Sequence, residues 1–144
     1  MNLFGMLEIS GSALTSERQR AEVVTSNMAN AETTRTPQGG PYRRQLVVFH
    51  AHRIAQFPLM LASNPINAGR GVQVDQVIPD PSPPIERYQP GHPDADAQGY
   101  VGYPNIDPVS ETTDLLGAVR AYELNASAVQ ASKAMITQSL DLLR

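Results

Sequence analysis

Two histidines, His50 and His52, lie two residues apart in a segment whose pattern predicts a β-strand. Side chains at positions i and i+2 of a strand point to one face, so this pair could offer two nitrogen ligands to a metal ion such as zinc. No third ligand is nearby in sequence, because Asp94 and Asp96 belong to a distant loop. Ordinary surface histidines are the simpler interpretation. A soluble ligand- or metal-binding module using the His50/His52 face remains the alternative function.

Other residue types suited to catalysis are present without a supporting pattern. His92 and Asp94 could form an acid–base pair, although their Pro/Gly-rich surroundings favour a rigid polar loop. Ser12, Ser16 and Ser26 have no histidine within about twenty residues of sequence, so a hydrolytic triad has no support. The sequence contains neither a Gly-x-Ser-x-Gly elbow nor a His-Glu-x-x-His motif. We therefore predict no catalytic residue, no metal site and no cofactor.

The composition of the 144-residue chain excludes further function classes. The absence of cysteine excludes disulfides, thiolate nucleophiles and cysteine-based metal centres. The net charge is −3 and the arginines are scattered, so no basic face predicts nucleic-acid binding. No run approaches the ~18 apolar residues of a membrane-spanning helix. Residues 1–8 lack the basic and long apolar regions of a secretory signal, so any export is expected to proceed without a cleaved Sec signal.

The C-terminal third carries the clearest pattern, a heptad repeat of mainly apolar residues. Its steps of four and three residues, broken only at Lys133, predict the seam of a coiled coil. Asp107 is expected to cap this helix, Pro108 suits its first position, and Glu111 favours the positive end of its dipole. The apolar seam positions are Leu115, Val119, Tyr122, Ala126, Val129, Ile136, Leu140 and Leu143.

The N-terminal segment repeats the heptad pattern more weakly, with polar residues at two positions. Asn30 is a plausible helix stop, and Pro37 cannot continue the helix. A long helix without a partner is marginal in water, so the two seams favour helices that become ordered through association. The predicted subunit-packing residues are Leu3, Leu7, Leu14, Val24 and Met28 in this helix, with Leu115, Val119, Tyr122, Val129, Ile136 and Leu140 in the C-terminal one.

The segment between the helices, residues 32–106, contains eleven of the twelve prolines. Strands are predicted at Tyr42–His52 and Gly71–Ile78, with a weaker candidate at Ile85–Tyr88. The predicted fold is α+β: long N- and C-terminal helices forming a coiled-coil-like pair, with a small Pro/Gly-rich antiparallel β insert between them. Along the chain we expect an N-terminal axial helix (1–31), the insert with long loops (32–106) and a C-terminal axial helix (107–144), together one structural unit.

Four sequence words resemble a known family. Ser26–Thr33, with the sequence SNMANAET, resembles the N-terminal motif of the flagellar rod, hook and hook-associated axial proteins. Gly40–Phe49 and Pro90–Ile106 resemble the basal-body rod members of that family, and the run PGHPDAD from Pro90 is the most specific match. Arg120–Asn125, with the sequence RAYELN, resembles the C-terminal motif of the family. Together these words span nearly the whole chain in the expected order.

The resemblance implies a structural subunit of the proximal rod in the periplasm, which joins the membrane ring to the distal rod and transmits torque. It implies export by the flagellar type III route and assembly through packed N- and C-terminal helices. The implied partners are other flagellar rod and basal-body proteins and copies of this chain. The resemblance implies no catalytic activity, no cofactor, no small-molecule substrate, no nucleic acid and no direct membrane insertion.

The loop from Pro90 to Asn105 is a further candidate for subunit contact, through Asp94, Asp96, Tyr100 and Tyr103. Its prolines restrict the backbone, and tyrosines supply contact area suited to interfaces. The alternative is a rigid connector that only leads to Asp107. Two features depart from the family pattern: residues 57–68 match no motif and are expected to form a variable loop, and Thr112–Thr113 stands where larger residues are expected.

Overall fold

In the part of the chain that the structure describes, two long helices flank four strands that form two small sheets. The computed structural model describes residues 3–53 and 70–142, and the predicted variable loop at 57–68 lies outside the described residues. The predicted α+β class, with long end helices and an antiparallel insert, is confirmed. The elements are α1 (Leu3–Ala29), β1 (Gln45–Arg53), β2 (Arg70–Pro79), β3 (Ile85–Tyr88), β4 (Tyr100–Tyr103) and α2 (Pro108–Asp141).

The start of α2 is set by its capping residue, as the sequence indicates. The two carboxylate oxygens of Asp107 accept hydrogen bonds from the backbone N–H groups of Val109, at 3.1 Å, and Ser110, at 3.3 Å. These groups have no partner within the helix, so the cap stabilises the first turn. Pro108 occupies the first helical position, where its missing N–H costs nothing. The predicted N-terminus of the helix is therefore confirmed.

The end of α1 lies one residue before the predicted stop at Asn30. The side-chain amide of Asn30 donates to the carbonyl oxygen of Ser26 at 2.9 Å, and its backbone N–H donates to the same oxygen at 3.1 Å. Asparagine thus satisfies a carbonyl in the last turn while the chain leaves the helix.

The strands pair as two separate ribbons. β1 pairs with β2, and β3 pairs antiparallel with β4 in a register that places Ile85 opposite Tyr103 and Tyr88 opposite Tyr100. β1 begins three residues after the predicted start at Tyr42, while β3 has the predicted bounds.

β4 lies in a segment for which the sequence predicts a loop, so this prediction is wrong. Its four residues are too few for a periodic signal, and they become a strand by pairing with β3. The turn before it is built by Asp96, whose Oδ1 accepts the backbone N–H groups of Gln98 at 2.9 Å and Tyr100 at 2.8 Å. Gly99 has φ +85°, and a Cβ there would lie 3.0 Å from Tyr88 and 3.1 Å from Pro90. Only glycine fits this turn without strain.

The chain falls into two compact units, each drawing on several segments. The first comprises residues 1–19, 49–75 and 118–144. Within it, the hydroxyl of Ser16 donates to the carbonyl oxygen of Val72 at 3.1 Å, and the N–H of Val72 donates to the hydroxyl of Ser12 at 3.1 Å. Two serines of α1 thus bind the backbone of β2, which gives both a structural role.

The second unit comprises residues 20–48 and 76–117. It holds the β3–β4 ribbon and most of the buried apolar side chains, namely Val24, Val101, Tyr103 and Ile106. It also holds Asn27 and Glu111, the largest buried polar groups of the described residues. The division of the chain into segments 1–31, 32–106 and 107–144 stays a prediction.

Candidate assembly site

A buried carboxylate lies in the first turn of α2. Glu111 is 0% exposed, and both of its oxygens are bonded. Oε1 accepts the Nε–H of Arg44 at 2.5 Å, and Oε2 accepts the side-chain amide of Asn27 at 3.1 Å. We call these three residues the buried polar cluster. A carboxylate in this position is stable only because a guanidinium and an amide replace the water it has lost.

Asn27 connects the buried polar cluster to the beginning of β1. Its Oδ1 accepts the backbone N–H of Gln45 at 2.8 Å, and its Nδ2 donates to the carbonyl oxygen of Gln45 at 2.9 Å. The side-chain amide therefore binds one residue of β1 through both backbone groups. The hydroxyl of Tyr42 donates to the same Oδ1 at 3.2 Å. Asn27 belongs to the SNMAN word that resembles the axial family, so this word has a structural role inside the subunit.

Two weaker ion pairs surround the buried polar cluster. Asp114 is paired with Arg20 at 3.4 Å and with Arg44 at 3.5 Å, and its side chain is 41% exposed. Exposed pairs with long separations contribute about 0–1 kcal/mol to stability. The stronger ion pair of this region is therefore the one between Glu111 and Arg44, in which the Arg44 side chain is 24% exposed.

The buried face of α2 is one residue away from the predicted seam. Glu111, Ala118 and Ser132 are buried and Asn125 is half-buried, so the buried positions recur every seven residues. The predicted seam instead uses Val119, which is 42% exposed, and includes an interruption at Lys133, which is exposed. Within the chain, the positions that α2 buries most deeply carry small or polar side chains, and larger apolar ones lie beside them.

The predicted packing residues divide into three groups by burial. Val24 is buried, and Val119, Tyr122 and Leu140 are 42%, 44% and 61% exposed. Leu3 begins α1, and its side chain lies outside the described residues. The half-buried group consists of Leu7, Leu14, Met28, Leu115, Val129 and Ile136. Their role in contacts between subunits stays a prediction.

A second apolar row runs along α2, about a quarter of a turn from the buried face. Its large members are Leu124, which is 72% exposed, Met135, which is 46% exposed, and Leu142, which is 82% exposed. Ala128 and Ala131 lie between them, so the row follows steps of four and three residues up to Met135. A helix with apolar side chains on more than one side is typically covered by more than one neighbouring element.

The candidate interface loop is bonded to its own chain through Asp94. The hydroxyl of Thr34 donates to Oδ2 of Asp94 at 2.8 Å, and Arg35 lies 3.6 Å from its Oδ1. The backbone N–H of Asp94 donates to Nδ1 of His92 at 3.1 Å, and the His92 ring meets the edge of Tyr103. This geometry is that of a tight loop, and it gives the His92–Asp94 pair a structural role.

The two predicted interface tyrosines have different environments. Tyr103 is 9% exposed, donates its hydroxyl to Gln89 at 2.8 Å, and has the Arg87 guanidinium 4.7 Å from its ring centroid. Tyr100 is 44% exposed and meets Tyr88, itself 65% exposed, edge to face at 5.4 Å. Tyr103 therefore belongs to the core, whereas Tyr100 and Tyr88 form an exposed aromatic pair on the β3–β4 ribbon.

The alternative metal site gains no support. Across residues 3–53 and 70–142, no three His, Asp or Glu side chains gather where they could hold a metal ion. His50 is exposed, and the side chain of His52 lies outside the described residues. Of the helices that the structure describes, none combines the length and apolar character needed to cross a membrane.

Comparison with known proteins matches both helical ends of the chain. A family model described as "Flagella basal body rod protein" matches residues 7–35, and one described as "Flagellar basal body rod FlgEFG protein C-terminal" matches residues 97–142. Asn27 and Glu111 lie in these two matched segments, and Arg44 lies between them.

Relatives of established identity match the chain over its whole length. Proteins named flagellar basal-body rod protein FlgC are 38% identical in Borreliella burgdorferi, over 100% of this chain and 99% of theirs, and 41% identical in Bacillus subtilis, over 99% of both. The protein of that name in Salmonella typhimurium is 37% identical over 99% of this chain and 98% of its own.

Proposed function

Because this chain belongs to the FlgC family of flagellar basal-body rod proteins, it is a structural subunit of the rod, and we propose that it builds the proximal part, between membrane ring and distal rod. Its neighbours are then other basal-body rod proteins and further copies of the chain. We propose no catalytic step, and export by the flagellar type III route.

The observation that carries the proposal is the distribution of apolar side chains around α2. Val109 and Leu116 are 73% and 52% exposed near its start, and Leu124, Met135 and Leu140 are 72%, 46% and 61% exposed further along. A free monomer gains nothing from exposing these groups, since burial of each would contribute about 1.5–3 kcal/mol. Contiguous exposed apolar surface is typical of protein interaction sites.

The heptad spacing of the second apolar row indicates what covers it. Steps of four and three residues match the knobs-into-holes packing of one helix on another. α1 also exposes apolar groups near its start, Phe4 at 73% and Met6 at 39%. Different surfaces that meet head to tail generate open helical polymers, which is the form a rod requires. We therefore propose that subunits assemble through packed helices and transmit torque through these contacts.

The proposal is tested by placing a charge on the exposed apolar surface. Leu140→Asp should leave the free subunit folded, since the side chain is 61% exposed there, but should prevent packing against a neighbouring helix. Cells whose only copy carries this change should make the protein, fail to swim, and yield basal bodies without a complete rod. Ser139→Asp adds the same charge at an exposed neighbouring position and is the matched control.

Two results would contradict the helix-packing proposal. One is normal swimming when Leu140→Asp and Ile136→Asp are combined, because a packed seam cannot accept two charges. The other is equal loss of swimming with Ser139→Asp, since the defect would then follow from charge alone.

The loop from Pro90 to Asn105 is a second proposed contact with a neighbouring subunit. Asp94 is bonded to Thr34 and Asp96 to the backbone of the loop, so we take the exposed pair of Tyr100 and Tyr88 as the surface for a partner. Tyr100→Ser should reduce rod assembly while Asp94→Ala with Asp96→Ala should loosen the loop itself. If Tyr100→Ser assembles and swims like the parent, the loop is only a connector.

A further inference from the structure

We propose that the buried polar cluster of Asn27, Arg44 and Glu111 fixes the register of α1 against α2 in the free subunit. The three residues come from α1, the segment leading into β1, and α2, and they meet within one compact unit. The inference concerns the monomer, so it does not depend on the proposed assembly.

The apolar pattern of α2 does not define a unique register by itself. Its partly buried row contains Leu115, Val129 and Ile136, which are spaced by multiples of seven residues and similar in size. If α2 moved by one heptad against a partner helix, Ile136 would take the place of Val129 and Tyr122 that of Leu115, so the row would remain mainly apolar. Swaps of this kind between similar side chains cost little, so the seam leaves the slipped arrangement close in energy.

The small side chains on the buried face of α2 distinguish little between the two registers. Ala118 and Ser132 are 1% and 2% exposed. The same shift of seven residues would place Asn125 and Ser139 in their positions. None of these side chains is charged, and each is small enough to fit close helix contacts. The apolar and small positions of α2 therefore distinguish only weakly between the two registers.

Glu111 distinguishes the native register from one shifted by a heptad. It is the only charged side chain that is buried among residues 4–51 and 71–142. A shift of one heptad moves it about 10 Å along the axis, far beyond hydrogen-bond reach of Arg44 and Asn27. The slipped state would break both hydrogen bonds of the carboxylate and would leave the Arg44 guanidinium without its buried partner. A single buried polar interaction that specifies register is a known use of such groups in helix pairs.

The side chain of Asn27 connects the buried polar cluster to β1. Its side chain is bonded simultaneously to the N–H and the carbonyl oxygen of Gln45 and to Glu111. Gln45 belongs to β1, so Asn27 joins α1 to the start of β1 as well as to α2. The contacts are made across 18 and 84 residues of sequence, and the one across 84 residues, to Glu111, is lost in a slipped arrangement.

The experiment measures register directly by the distance between two spin labels. The chain contains no cysteine, so cysteines introduced at Thr25 of α1 and Thr113 of α2 are the only labelling sites, and both positions are exposed. Pulsed electron–electron resonance on the purified full chain should give one narrow distance distribution for the labelled parent. Arg44→Met with Glu111→Met keeps similar side-chain volumes, and it should produce a second distance population, displaced by up to about 10 Å.

A matched variant separates register from general electrostatics. Asp114→Asn removes charge beside the cluster, at a side chain that is 41% exposed, and should leave the single distance unchanged. One unchanged narrow distribution in the double methionine variant would overturn the proposal, because the cluster would then only add stability. If that variant lacks helical circular dichroism, Glu111→Gln decides instead: a second population supports the proposal, and an unchanged single distance overturns it.

Discussion

The beginning and the remainder of α2 differ in what they bury, although they form one continuous helix. Over residues 108–118, Asp107 caps the first turn, Glu111 is bonded on both oxygens, and Ala118 is 1% exposed. Over residues 119–141, Ser132 is the only buried side chain, and large apolar groups such as Leu124 are exposed. The first stretch makes these contacts within its own chain, although Val109 and Leu116 are exposed there. The second presents a surface that its own chain leaves uncovered.

The difference shows that burial and assembly use separate residues of the same helix. Removing one partner of a buried polar pair lowers stability strongly, because the other partner is left without water or a hydrogen bond. Substituting an exposed apolar group changes the stability of the monomer little, since the free energy of burying that group is gained only when something covers it. Substitutions in the two stretches should therefore separate folding from rod formation.

The largest effect on stability is expected for Glu111→Ala. Truncation removes the buried acceptor of the Arg44 Nε–H and one of the two acceptors of the Asn27 amide, so the free energy of unfolding should fall by about 3–5 kcal/mol. Urea unfolding of the purified chain, followed by circular dichroism, measures the change. Glu123→Ala removes the same group from an exposed position of the same helix and should change stability by less than about 0.5 kcal/mol. Equal effects of the two substitutions would contradict the distinction between the stretches.

A smaller loss is expected for Asp107→Ala, which removes the cap of the first stretch. Two backbone N–H groups lose their acceptor but remain close to solvent, so the cost should be about 1 kcal/mol. The same urea titration measures it, with Ser110→Ala as the control at an exposed position in the first turn. A cost as large as that of Glu111→Ala would mean that the first stretch depends on its terminus more than on its buried carboxylate.

Most of the fold follows from local sequence signals, and the exceptions are non-local. The end helices, the Asp107 cap and β3 were predictable because periodicity, capping and strand propensity each act within a few residues. β4 was missed because Tyr100–Tyr103 is a strand only through its pairing with β3. The cluster of Asn27 and Glu111 joins residues 84 apart, and no spacing rule connects them.

The one-residue offset of the α2 seam has a different cause. Heptad analysis selects the largest apolar residues, whereas the chain buries Ala118 and leaves Val119 exposed at 42%. A heptad pattern in the sequence indicates that one face of a helix is covered, but it does not indicate whether the same chain or a neighbour covers it. Two signals in the sequence were nevertheless available: Lys133 interrupts the predicted seam, and asparagine at position 27 is an unfavourable choice inside a helix.

The smallest effect on the free subunit is expected for Leu124→Asp, and it tests the comparison from the other side. Leu124 is 72% exposed, so the free energy of unfolding should change by no more than about 0.5 kcal/mol. In the assembled rod the same carboxylate would lie between packed helices, where an unpaired charge is costly, so incorporation into basal bodies should be lost. Ser127→Asp, also exposed on α2, should change neither property. A Leu124→Asp chain that unfolds at lower urea concentration would show that the second stretch is already covered in the monomer. One that keeps its stability and still enters the rod would show that this row of α2 faces solvent in the assembly, and the packing surface would then have to be sought at Val119, Tyr122 and Leu140.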